Sequence, residues 1–182
     1  MKRVHSMSCF LKWSALAICL ALPLIEAGYW ITNGYPFLQP FFKPQELVSF
    51  GNQPTSWASL DDLQKFLGFL VNLIPMGFYM LALAFLAKVF YGFEQGKIFE
   101  RENMVLLKRT GWMLIWGQIT YPLYFALLSL TLTYKNPVGE RMISVAIGWK
   151  QIELLLIGLV IVLTAWIFKG AVQLQEEQEG TV

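Results

Sequence analysis

Hydrophobic and polar positions segregate into long blocks along this chain. Four predominantly apolar stretches, about residues 13–30, 63–91, 111–134 and 149–168, alternate with segments that hold most of the charges. A helix needs about 20 apolar residues to cross a hydrocarbon core roughly 30 Å thick. The pattern therefore predicts an all-α fold: a four-transmembrane-helix bundle, one membrane domain over 1–182.

The connections differ in kind. Residues 31–59 hold Pro36, Pro40, Pro44 and Pro54 among Tyr35, Phe37, Phe41, Phe42, Phe50 and Trp57. Four prolines exclude a long regular helix, and the aromatics argue against a disordered linker. This outer loop is expected to fold onto the membrane surface or cap the helices. Ser59, Asp61 and Asp62 read as a helix start, with a hydroxyl for free amides and carboxylates for the positive helix end. The second stretch is longer than a span needs, so it tilts or projects beyond the bilayer. A charged loop, about 92–110, leads into the third stretch. Asn136-Pro137 turns the chain back, and residues 170–182 form an acidic tail with Glu176, Glu177 and Glu179.

Composition strengthens the membrane reading. Of 182 residues, 56% are hydrophobic and 14% charged, against roughly 25% charged in an average soluble protein, and the mean hydropathy is +0.51. The net charge of +2 is not gathered into a basic stripe, so no direct nucleic-acid binding is expected. Cys9 and Cys19 have neither disulfide nor metal-ligand spacing and read as small apolar residues. Lys2, Arg3 and Lys12 before the first stretch resemble a secretory signal. Ile25-Glu26-Ala27, however, lacks the small residue a cleavage site needs, so the first helix is expected to stay.

Lysines and arginines set the orientation. Lys2, Arg3, Lys12, Lys88, Lys97, Arg101, Lys108, Arg109 and Lys169 flank one face; Lys43, Lys65, Lys135, Arg141 and Lys150 flank the other. Nine against five places both termini in the cytoplasm. Trp13, Trp30, Trp112, Trp116, Trp149 and Trp166 lie near the expected interfaces, where indoles prefer to sit.

Candidate chemistry is sparse. Within the stretches, Asn72, Gln118 and Thr120 are polar but not ionisable, which favours helix pairing over a substrate path. Glu26 and Glu153 lie near outer ends and are expected to reach water. His5 is the single histidine, and no nucleophile–base pair, phosphate loop or metal-ligand spacing occurs. An enzyme is not expected, and no catalytic, cofactor-binding or metal-binding residue is assigned.

The segment Tyr91-Gly92-Phe93-Glu94-Gln95-Gly96-Lys97-Ile98-Phe99-Glu100-Arg101-Glu102-Asn103, followed by Leu106-Leu107-Lys108-Arg109-Thr110-Gly111, resembles the bacterial domain-of-unknown-function family 2975 of small four-helix inner-membrane proteins. The shared features are a Gly-x-Ile-Phe step, a nearby Asn and a basic helical run into the third span. The Glu-rich ending on Thr181-Val182 is also similar. Glu100 stands where the family has Asp or Ser, and residues 31–59 show no match. The resemblance implies a multi-pass protein of the bacterial cytoplasmic membrane with no established activity. Because some members are encoded beside small helix-turn-helix regulators, it also implies a cytoplasmic protein partner of that kind.

The sharper reading of the residues makes Gly96, Ile98, Phe99, Asn103 and Arg109 a docking surface, with the turn presenting Ile98 and Phe99 below the membrane as anchors and the acidic tail as a second element. The plainer alternative is an anchored loop in which Lys108 and Arg109 meet lipid headgroups. Three function classes follow. One is an interaction or regulatory protein anchoring a cytoplasmic partner. Another is an immunity-type protein shielding the membrane from a toxin through the outer loop. The third is a small transporter or channel subunit using Asn72 and Gln118 and kinks at Pro75 and Pro122. Besides the lipid bilayer and that partner, self-association stays open.

Overall fold

The computed structural model describes residues 2–32, 60–98 and 100–179, with side chains over 5–32, 60–98 and 100–173. Among them every regular element is an α-helix: α1 (Lys2–Ile31), α2 (Asp62–Glu94), α3 (Arg101–Ile119), α4 (Tyr121–Thr133) and α5 (Trp149–Glu179). Of the expected outer loop over 31–59, residues 33–59 lie outside the described residues. So does Phe99.

Three helices are long and apolar enough to cross a membrane: α1 from His5, α2, and α5 as far as Gln173. A fourth span exists if α3 and α4 count as one broken span. This is the length and composition of a multi-pass membrane protein. The third stretch differs most from expectation. Instead of one helix over 111–134, a helix already begins at Arg101 and breaks at Thr120. Pro122, in the first turn of α4, has no N–H to continue the ladder. Pro23 and Pro75, in contrast, lie inside helices that run on past them.

The helix ends also reach beyond the apolar stretches. α1 starts at Lys2, α2 continues to Glu94, and the acidic tail remains helical to Glu179. Hydropathy marks only the segment that fits in lipid. Gln and Glu are good helix formers in water too, so the helix outlasts the apolar run.

The chain forms two compact units. The first comprises Met1–Leu20, Gly77–Ile119 and Gly148–Val182. In it α3 and α5 run antiparallel and touch through their backbones. A Cβ at Gly111 would lie 2.8 Å from the Gly158 carbonyl oxygen, and one at Gly158 3.0 Å from that of Gly111. With no hydrophobic drive between helices in lipid, small residues permit the close packing that holds them. Ile115, Val162 and Ala165 are buried around this crossing.

The second unit comprises Ala21–Met76 and Thr120–Ile147. Trp30, Leu60, Leu128 and Leu132 form its core, with Tyr29, Phe69, Tyr124 and Phe125 packed against them. Gly68 makes room for Trp30, since a Cβ there would lie 2.5 Å from indole Cζ3. Gln64 has two roles: its Oε1 accepts the Asp61 N–H at 3.1 Å, capping α2, and its Nε2 donates to the Leu132 carbonyl at 3.1 Å. The segment after α4 is pinned back on it, because Met142 N–H donates to Thr133 Oγ1 and Ser144 N–H to Ser129 Oγ at 2.9 Å.

Candidate functional site

The sequence motif sits where α2 ends and α3 begins. At that end of α2, Lys97 N–H donates to the Gly92 carbonyl at 3.0 Å and Gly96 N–H to the Phe93 carbonyl at 3.1 Å. This pair of bonds is a Schellman ending, which requires a left-handed residue just past the helix. Gly96 supplies it with φ of 79°. Asn103, three residues into α3, then reaches back, and its Nδ2 donates to the Lys97 carbonyl. It is 4% exposed. Gly92 is small for the same reason, since a Cβ there would stand 2.8 Å from Asn103 Cγ. Gly92, Gly96 and Asn103 thus act as one clamp that fixes the path of the turn.

The start of α1 braces the same place. Lys12 Nζ lies 2.5 Å from Glu94 Oε2 and 5.3 Å from the centre of the Tyr91 ring. His5 Nδ1 is 2.9 Å from the Glu94 carbonyl oxygen, which can only accept, so that nitrogen is the donor. His5 therefore ties the start of α1 to the turn. The outward face is charged: Lys97, Glu100, Arg101 and Glu102 are exposed, and Lys97 pairs with Glu100 at 3.3 Å.

The expected docking residues separate accordingly. Gly96 and Asn103 shape the turn. Ile98 is half-buried and Arg109 exposed, its guanidinium 6.0 Å from the centre of the Phe85 ring. Phe99 lies outside the described residues, as do the side chains of Glu176, Glu177 and Glu179.

The polar residues of the spans also find partners. In the first unit Gln118 Nε2 donates to the Tyr79 hydroxyl at 2.9 Å, and its buried Oε1 has no hydrogen-bond partner among the described residues. Thr120 marks the helix break, its carbonyl accepting the Tyr124 N–H at 3.0 Å. In the second unit Asn72 donates to Glu26 Oε1, which also accepts the Trp30 indole N–H at 2.8 Å. Glu26 is half-buried, so it stays within reach of water while it holds both groups. α1 and α2 are antiparallel here, so with Trp30 over Gly68 the residue one turn back, Glu26, meets Asn72. Asn72 is ten residues into α2, about 15 Å from its start.

Sequence reasoning missed the role of Gln64, the pairing of Glu26 with Asn72, and the Lys12–Glu94 pair. Glutamine three residues after Asp61 is a capping signal and was legible; the other two depend on helix register. Among the described residues, no group of three His, Cys, Asp or Glu side chains is placed to hold a metal ion.

A family profile described as "Protein of unknown function (DUF2975)" matches residues 26–182. No curated protein and no solved structure matches the chain.

Proposed function

The chain belongs to the DUF2975 family, and on that footing we propose that it is a non-enzymatic membrane anchor or regulator that docks a cytoplasmic protein on the turn between α2 and α3. The observation that supports this reading is the clamp. Gly92, Gly96 and Asn103 hold the turn in one shape, and Lys12 with Glu94 braces it. A connection needed only to join two helices does not call for a buried amide, a left-handed glycine and an ion pair together. A pre-organised surface loses less entropy on binding, and the mixed charges of Lys97, Glu100, Arg101 and Glu102 select partners by complementarity. The charge asymmetry supports a cytoplasmic location for this turn.

Affinity capture from cross-linked membranes tests the proposal. Wild-type protein is expected to retain a soluble partner. Reversing Lys97 and Arg101 to Glu is expected to release it while membrane insertion is unchanged. Equal capture by both proteins would refute the docking role.

A second reading draws on Glu26. An ionisable group paired with an amide inside a helix of spanning length is a functional-site candidate in a transporter or channel subunit. Solute or proton flux in liposomes, present in wild type and lost in Glu26→Gln, would favour it over the anchor; no flux above empty liposomes would dismiss it.

A further inference from the structure

On the side of the Gly111–Gly158 crossing where α3 begins, α3 and α5 enclose a groove of about 770 Å³. Cations from both helices line it: Lys108 and Arg109 from α3, and Lys169 from α5. All three are exposed. The ion pairs among the described residues use other groups, namely Lys12–Glu94, Lys97–Glu100 and Lys135–Asp61. Lys108 Nζ rests 5.5 Å from the centre of the Trp166 ring. An aromatic face steadies a cation without neutralising it. Trp112 and Trp166 give the groove apolar walls, and Gln173 adds an amide.

This position in the sequence matters. Lys108 and Arg109 stand just before the apolar part of α3, and Lys169 just after that of α5. Because the helices are antiparallel, these charges gather at one end of the pair, at headgroup level in a bilayer. A small soluble anion would satisfy the cations but leave the indole walls uncovered. A neutral lipid would do the reverse. We infer that the groove is a binding site for an anionic phospholipid, with its phosphate held by Lys108, Arg109 and Lys169 and its chain running along Trp112 and Trp166. The Arg109 guanidinium is suited to the phosphate because its planar fork meets two oxygens at once.

The test uses full-length protein in nanodiscs of phosphatidylcholine with a minor share of phosphatidylglycerol, the retained lipid being counted by native mass spectrometry. Phosphatidylglycerol is expected to be enriched on the protein. Lys108→Gln, Arg109→Gln and Lys169→Gln are each expected to weaken it about fivefold, from the contribution of one basic residue near an anionic surface. Lys97→Gln and Arg101→Gln, which remove equal charge outside the groove, are expected to leave it unchanged. Lys108→Arg is expected to retain binding, and equal helicity of all variants by circular dichroism excludes misfolding. Equal losses from the two control variants would overturn the inference, because attraction would then be general. Displacement by inorganic phosphate would overturn it in favour of a soluble anion. Binding that appears only after Glu176, Glu177 and Glu179 are changed to Gln would make the chain's own tail the resident.

Discussion

At the residue scale, the motif between α2 and α3 turns from a string of letters into a mechanism. Asn103→Ala removes the donor to the Lys97 carbonyl from a buried position, so a loss of about 1–3 kcal/mol is expected. Thermal unfolding in detergent would read it, with new protease sensitivity at the turn. Gly96→Ala forces a Cβ onto a left-handed backbone and is expected to cost about 1–2 kcal/mol. If both substitutions leave stability unchanged, the clamp does not hold the turn. The sequence reading placed these residues in one segment and expected a turn there, because a Gly-rich charged run between apolar stretches has few other uses. It could not assign their roles. Gly92 looks like an ordinary helical residue until Asn103 is seen against it, and Asn103 looks like a surface contact until its burial is known.

At the element scale, apolar runs announce helices more reliably than they announce helix ends. The start of α5 at Trp149 was legible from the fourth apolar stretch, and in the structure Gln151 accepts the Gly148 N–H at 2.9 Å, closing the first turn as a capping glutamine does. The break at Thr120 was half-legible: Pro122 was visible, but Pro23 and Pro75 show that a proline alone does not break a helix. Pairing of helices was not legible at all. The α3–α5 crossing rests on Gly111 and Gly158, and their mutual approach is a matter of register. Gly111→Ala places a methyl group 2.7 Å from Val162 Cγ2 and against the Gly158 backbone, so overpacking of about 1–3 kcal/mol is expected. Asn72→Leu, by contrast, is expected to cost only about 0.6 kcal/mol, the average for an interhelical hydrogen bond in a membrane. Urea or dodecyl sulfate titration of the two variants would rank them. A larger loss from Asn72→Leu would mean that the Glu26 pair, not the glycine crossing, dominates helix association.

At the scale of the molecule, sequence and structure agree on a multi-pass helical protein whose polar detail lies mainly outside the apolar runs. The distribution of charge remains the argument for orientation. Cysteines introduced at positions 97 and 43 are expected to be labelled from the cytoplasmic and the opposite side respectively, and reversed labelling would invert the topology. Inside the apolar runs, Gln118 bonds Tyr79, and Glu26, which hydropathy placed near an edge, is drawn by helix pairing to Asn72. Docking at the α2–α3 turn is the central functional claim, and it competes with contact on the opposite side, where the charge count also places the loop after α4. Photo-reactive residues at 97 and at 138, which is 93% exposed in the loop after α4, separate the two in intact cells. A discrete adduct with a soluble protein is expected from position 97 and none from position 138. An adduct from 138 alone would contradict the account.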